Sequence, residues 1–181
     1  MSRDGLTAER VKAKTSESLP SPKLRWLVLG IAALVVQAAL IYGLTTVPSA
    51  RQWFPVLLPA AHLLLLPFLL RNLSFWGIRL VLVGLLLNLT VMLANGGLMP
   101  VEAPAVEAVG RQEVRDLQLG THIPGSKNVL LAEEDIRLRE LSDILVLPVP
   151  RPFTRAVSVG DLFILTGVVI AFGEVVRRSE A

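Results

Sequence analysis

A run of apolar residues without a single charge, from Trp26 to Val47, sets the first limit on the fold of this chain. A helix needs about 20 such residues to cross the hydrocarbon core of a bilayer. Hydrophobic residues make up 52% of the 181-residue chain and charged residues only 18%, a balance too apolar for a soluble domain of this size. The sequence therefore predicts an integral membrane protein.

Three further apolar runs follow, and the four runs together predict an all-α membrane protein with four transmembrane helices. Four such runs in so short a chain disfavour buried core helices of a soluble protein. A cleaved signal peptide is the alternative for the first run. We expect the run to be retained, because it is too long and because Pro48 stands where cleavage after Ala50 requires a small residue. The spans are predicted at about 24–47, 53–70, 78–95 and 158–176.

Basic residues predict on which side each end lies, because short cytoplasmic flanks are enriched in Lys and Arg. The first loop has only Arg51, whereas Arg177 and Arg178 follow the last run and the N-terminal tail carries several basic residues. Both termini are therefore predicted in the cytoplasm, with the protein in the cell membrane. The predicted parts are a disordered cytoplasmic tail at 1–23, a membrane domain at 24–176 that includes an extracytoplasmic segment at 96–157, and a cytoplasmic tail at 177–181.

Turn signals and short apolar stretches predict that the extracytoplasmic segment is ordered. Apolar residues recur near helical spacing between 105 and 119, which predicts a short amphipathic helix on the membrane surface or on the bundle. The stretches 128–131 and 143–147 are apolar, and each is either a buried strand or an embedded loop. Two glycines and a proline end the third span sharply. They belong to a motif formed by Asn95, Gly96, Gly97, Met99 and Pro100.

The last span begins with the spacing of a capping box, Ser158-Val159-Gly160-Asp161. The Ser158 hydroxyl can accept a backbone hydrogen bond one turn into the helix, and the Asp161 carboxylate can reach back to the first amide. The carboxylate is also favoured there by the positive end of the helix dipole. This pattern predicts a well-defined helix start at the fourth span.

Three motifs occur in this order: Asn-Gly-Gly-x-Met-Pro-Val from Asn95, Asp-Ile-x-x-x-Pro from Asp143, and Ser-Val-Gly-Asp from Ser158. Together they are similar to a family of small, uncharacterised prokaryotic membrane proteins known only as a domain of unknown function. The resemblance covers roughly residues 25–176 and implies a bacterial, multi-span membrane protein. It implies no activity, so no catalytic residue is carried over.

Candidate catalytic residues are few, since the chain has no phosphate-binding glycine loop and no metalloprotease or hydrolase motif. His122, Asp143 and Asp161 are candidates for an acid–base group at the outer face. Each also has a structural explanation, as a turn residue, a turn cap and a helix cap respectively, and we favour those explanations. No cofactor or metal site is predicted, because the chain lacks cysteine and its other histidine, His62, lies within the second span.

Four polar residues fall near the middle of their predicted spans, each on a different helix. Polar groups in hydrocarbon are costly, so all four are expected to face the bundle interior. The simpler interpretation is hydrogen bonding between helices, and the sharper one is a ligand or proton site in which only His62 titrates near neutral pH. This polar layer consists of Gln37, His62, Asn88 and Thr166.

These patterns favour a non-catalytic binding or scaffold module for a partner protein or a lipid at the outer face. One alternative is a small membrane enzyme that acts there through His122, Asp143 and Asp161. Another is a subunit of an oligomeric transporter, because four spans that are expected to lack acidic residues make a poor carrier on their own. The predicted partners are the lipid bilayer and a membrane protein or a second copy of the chain, with no nucleic acid.

Overall fold

The computed structural model describes residues 24–43, 48–110, 117–147, 149–150 and 154–180. The predicted tail at 1–23 lies outside the described residues. Within them, the chain forms the helices α1 (Leu27–Tyr42), α2 (Phe54–Leu63), α3 (Leu66–Arg71), α4 (Trp76–Ala94), α5 (Ala103–Val109) and α6 (Val159–Glu180).

Three helical segments of the described chain are long and apolar enough to cross a membrane: α2 with α3 from Phe54 to Arg71, α4, and α6. They support the membrane class predicted from the sequence. The first apolar run forms α1, which has 16 residues and is shorter than these segments. Residues 44–47 of that run lie outside the described chain, so the fourth span stays a prediction.

Prolines shape the second span. Pro67 has no backbone N–H to donate to the Leu63 carbonyl, and α2 accordingly ends at Leu63 before α3 begins at Leu66. Pro59 lies inside α2 without ending it. The predicted single span is therefore two short helices in sequence.

Helices α4 and α6 pack closely in antiparallel orientation through small residues. A methyl group at Gly77 would collide with the backbone of Gly167, and one at Gly84 would collide with the backbone of Gly160. Such small residues let helix backbones approach closely in membranes. Because Gly160 is near the start of α6 and Gly84 is near the middle of α4, α6 begins opposite the middle of α4.

An acidic side chain holds the other end of this helix pair. Glu174 of α6 is only 7% exposed, and its carboxylate oxygens accept hydrogen bonds from the backbone N–H groups of Trp76 and Gly77, at 3.1 and 2.9 Å. It thereby satisfies amides that the first turn of α4 leaves without partners. The expectation that the spans lack acidic residues is therefore wrong.

Residues 96–157, called the connector below, contain short strands and turns. Within the described chain, β1 (Met99–Val101) pairs in parallel with β2 (Asn128–Leu130), and β3 (Leu145–Val146) pairs antiparallel with β4 (Ala156–Val157). Short 3-10 turns occupy Glu133–Asp135 and Arg139–Leu141. The stretches 128–131 and 143–147, predicted as strands or loops, thus contain β2 and β3.

The helix predicted over 105–119 is shorter than expected. Helix α5 ends at Val109 because Gly110 adopts the left-handed conformation, with φ of 75°. Residues 117–119 are not helical, and 111–116 lie outside the described chain. A glycine at this position stops a helix more effectively than the apolar spacing extends it.

The junction between α4 and the connector is fixed by Asn95 and Gly97. The Asn95 side chain exchanges two hydrogen bonds with the backbone of Arg137, at 2.8 and 2.9 Å. Gly97 has φ of 93°, and a side chain there would collide with the Pro55 carbonyl. The Asn-Gly-Gly motif therefore joins the end of α4 to the connector and to the start of α2.

Candidate functional site

Lys127 is the centre of a group of polar side chains beside the start of α6. It precedes β2, and its carbonyl accepts a hydrogen bond from the N–H of Met99 in β1 at 3.0 Å. Its Nζ lies 3.0 and 2.8 Å from the two carboxylate oxygens of Asp161 and 3.5 Å from Oδ1 of Asp143. The pairing of β1 with β2 thus places the Lys127 ammonium group beside the carboxylates of Asp143 and Asp161.

Asp143 is the more buried of the two acids, with a side chain 1% exposed. Its Oδ2 accepts a hydrogen bond from Asn128 Nδ2 at 2.8 Å, and its backbone N–H donates to the Pro100 carbonyl at 3.2 Å. Burial raises the pKa of Asp143 to about 6, although the Lys127 ammonium acts in the opposite direction. Its carboxyl group therefore changes charge close to neutral pH.

Asp161 and Ser158 form both bonds of the capping box. The N–H of Asp161 donates to Ser158 Oγ at 2.9 Å, and the N–H of Ser158 donates to Asp161 Oδ2 at 3.4 Å. Asn88 of α4 joins them, since its Nδ2 donates to Asp161 Oδ1 at 2.6 Å and its Oδ1 accepts from Ser158 Oγ at 2.7 Å. We call this whole network the Lys127 cluster: Asn88, Lys127, Asn128, Asp143, Ser158 and Asp161.

The charges in the Lys127 cluster do not balance when both acids are ionised. Burial disfavours the charged lysine, but the neighbouring carboxylates of Asp143 and Asp161 outweigh it and raise the pKa of Lys127. The ammonium is therefore retained at neutral pH, opposite two carboxyl groups. The cluster carries one excess negative charge above the pKa of Asp143 and none below it.

His122 has different neighbours from the two acids with which it was grouped. Its Nε2 lies 2.8 Å from the Ser126 carbonyl, and its ring meets Phe54 edge-on at a centroid distance of 4.7 Å. Of the predicted trio, Asp143 and Asp161 meet at Lys127, whereas His122 packs within its own turn and against α2.

The predicted polar layer does not form a single level. Gln37 Nε2 donates to the Ala61 carbonyl of α2 at 3.2 Å, and Asn88 belongs to the Lys127 cluster. Thr166 is exposed instead of facing the interior. It precedes Gly167, which packs on α4, and adjacent helical positions point about 100° apart, so Thr166 turns away from that contact.

A cavity of about 490 Å³ lies between α1, α2, α3, α4 and α6, and we call it the groove. One end is lined by Leu24 and Val175, and the walls are apolar along its length. His62 is 7% exposed and lines the groove from α2. Polar side chains reach the groove from one end and from its sides: Gln37, His62, Asn88, Lys127 and Asp161.

Sequence reasoning missed Lys127, Asn128 and Glu174. The only local signal at Lys127 is a lone charged residue between a Pro-Gly-Ser turn and an apolar stretch, which indicates a cation drawn towards the protein interior. At Glu174 the signal is an acid within an apolar run. Among the described residues, no group of three or more His, Asp or Glu side chains is placed to hold a metal ion.

The family of the chain follows from a match over residues 21–172, most of its length. The chain belongs to DUF5317, a family of unknown function. One relative of this DUF5317 protein is a Thermotoga maritima protein described only as an uncharacterized protein. The two sequences are 28% identical over 134 residues, which cover 73% of this chain and 71% of the relative. No solved structure matches the chain. The resemblance to an uncharacterised family is confirmed. Membership of DUF5317 implies no activity, so the groove is the feature that bears on function.

Proposed function

We propose that this protein binds an amphiphilic lipid within the membrane, with the lipid tail in the groove and its polar head towards the Lys127 cluster. The observation that carries the proposal is the groove itself, an apolar cavity of about 490 Å³ that is also lined by a few polar side chains, including members of the Lys127 cluster. Pockets for small organic ligands have volumes of about 300–1,000 Å³ and few, precisely placed polar groups. The groove has both properties.

The position of the Lys127 cluster supports this role. A lysine and an aspartate are costly near hydrocarbon, and residues of this kind commonly mark binding sites and pathways in membrane proteins. Lys127 and Asp161 are 19% and 27% exposed, respectively, so both retain some surface for a ligand. The apolar walls suit an alkyl chain, which needs no hydrogen-bond partner there.

Helix α6 offers a matched pair of variants for testing the groove. Val168 lines the groove, whereas its neighbour Val169 does not, and both side chains are exposed. Single-chain lipids with a photoactivatable diazirine in the tail would be offered to the purified protein in detergent. Crosslinking to the wild type and to Val169→Trp, with strong reduction in Val168→Trp, is expected. Equal crosslinking to all three proteins, or to none, would overturn the proposal.

The proposed topology has four spans in the cell membrane, both termini in the cytoplasm and the connector outside. The basic residues that flank the short ends support it. The chain has no cysteine, so single cysteines at exposed Glu134 and Ser179 can be labelled in intact cells with a thiol reagent that does not cross membranes. Labelling of Glu134→Cys alone is expected, and labelling of Ser179→Cys alone would reverse the topology.

Acid–base catalysis on the bound lipid is a second candidate function. The observation that favours it is the meeting of Asp143 and Asp161 at one lysine, with Asp143 titrating near neutral pH. A group of this kind can exchange a proton at physiological pH. Asp143→Asn would then abolish chemical conversion of a bound lipid without abolishing its crosslinking, whereas a binding protein converts none.

A further inference from the structure

The Nε2 atom of His62 limits which lipid head groups fit the groove. Its Nδ1 lies 2.8 Å from the Leu58 carbonyl, one turn earlier in α2, and a carbonyl can only accept, so Nδ1 carries a proton. In the uncharged ring Nε2 is then an acceptor, on the edge that points away from the helix backbone. Within the part of the chain that the structure describes, Nε2 has no hydrogen-bond partner, and the residue is only 7% exposed, at the wall of the groove.

The Lys127 cluster limits the charge that the lipid head group can carry. The Lys127 ammonium is already engaged by both oxygens of Asp161 and faces Asp143 at 3.5 Å. An anionic head approaching Lys127 from the groove also approaches Asp161, which lines the same cavity. Like charges in an apolar environment repel strongly, so the cluster gives no net attraction to a phosphate or a carboxylate.

We infer that the groove selects a lipid with an uncharged hydroxyl head, such as a long-chain alcohol or a monoacylglycerol, whose O–H donates to His62 Nε2. This inference rests on the proposed function. A hydroxyl group satisfies the acceptor that His62 presents, and it brings no charge into a cavity with apolar walls. An ammonium head is attracted by the excess negative charge of the Lys127 cluster, but it also approaches the Lys127 ammonium, which lines the same cavity. It would have to lose its hydration there, which costs more than burial of a hydroxyl group.

Competition among four lipids of one chain length tests the selection. Hexadecanol, hexadecanoic acid, hexadecyl phosphate and hexadecylamine would each displace a photoactivatable single-chain lipid from the delipidated full-length protein. At pH 8 an ordinary imidazole is uncharged. Hexadecanol is expected to compete at roughly tenfold lower concentration than the other three, as one buried hydrogen bond and an avoided charge permit.

Variants of His62 test the residue itself. His62→Leu should weaken hexadecanol competition about three- to tenfold, and His62→Gln, which can present an amide oxygen, should recover part of that loss. Thr166→Val, a polar group removed from the exposed side of α6, should change nothing. If His62→Leu does not fold, the ranking of the four lipids on the wild type still decides.

The outcomes separate this inference from the proposed function. If no lipid enters the groove, the proposed function fails. If lipids enter but the phosphate, the acid or the amine competes as well as the alcohol, only the selection of a hydroxyl head is overturned. Equal competition by all four lipids would mean non-selective association with alkyl chains and would likewise overturn it.

Discussion

Lys127 and Asp161 are 34 positions apart in the sequence, yet the lysine Nζ lies 2.8 and 3.0 Å from the two oxygens of the aspartate. The contact ties the connector to the first turn of α6. Since Asp161 also bonds to Asn88 of α4, one carboxylate joins three parts of the chain. The strength of this junction can be measured directly.

Lys127→Met should destabilise the protein by about 3 kcal/mol, because it leaves the buried Asp143 carboxylate and the partly exposed Asp161 carboxylate without a cation. Unfolding in mixed micelles at pH 8 measures the change. Arg137→Met, at an exposed position of the connector, is the matched control and should change stability by less than about 0.5 kcal/mol. Adding Asp143→Asn and Asp161→Asn to Lys127→Met should recover much of the loss. A Lys127→Met variant as stable as the wild type would contradict the assigned ion pairs.

Stability should depend on pH through Asp143. Its pKa in the folded protein, about 6, lies above the ordinary value of 3.8, so between these values the folded state binds the proton more tightly than the unfolded state. The contribution of Asp143 to the free energy of unfolding should therefore rise by about 1.4 kcal/mol as the pH falls from 7.5 to 5.

Two variants test whether Asp143 causes this change of stability with pH. Asp143→Asn should remove this contribution, and Asp135→Asn, at an exposed position of the connector, should retain it. Retention of the full slope in Asp143→Asn would show that another group titrates.

The start of α6 allows a ranking of two substitutions. Ser158→Ala loses a helix cap, at about 1 kcal/mol, and one bond to Asn88. Asp161→Asn keeps an acceptor for the cap but loses the charge opposite Lys127, so we expect it to cost more than Ser158→Ala. Thermal unfolding of both variants in detergent gives the order. The opposite order would mean that Asp161 acts as a cap alone.

At the other end of α6, Glu174→Gln should destabilise the protein by about 1 kcal/mol. A negative charge at a helix N-terminus is favourable, and the amide keeps only one acceptor oxygen for the N–H groups of Trp76 and Gly77. Glu180→Gln, at the exposed end of the same helix, is the control. Equal stability of both variants and the wild type would argue that the capping bonds are weak in solution.

The sequence allowed the helical parts to be predicted because their signals are local. Apolar length identified α2 with α3, α4 and α6, and the spacing of Ser158 and Asp161 identified a cap whose two bonds are both present. Each of these signals lies within one helix or one turn.

The Lys127 cluster could not be predicted in the same way, because its contacts join distant positions. Ser158 and Asn88 are 70 positions apart, and they meet only because α6 begins opposite the middle of α4. That stagger depends on the packing of glycines, and no spacing within one segment encodes it. The depth of Thr166 was misplaced for the same reason, since Gly160 and not the middle of α6 lies at the level of Asn88.

The stagger between α4 and α6 also has a consequence for the surrounding lipid. At 1.5 Å per residue, α4 continues for about 15 Å beyond Gly84, the residue that faces the start of α6. A flat boundary of the hydrocarbon layer cannot match the ends of both helices on the side of the Lys127 cluster, because these ends lie at different heights. The boundary on that side would have to lie deeper beside α6 than beside α4, and such mismatch costs a fraction of a kcal/mol for each ångström. The protein would thus deform its own membrane locally, on the side where the polar Lys127 cluster lies.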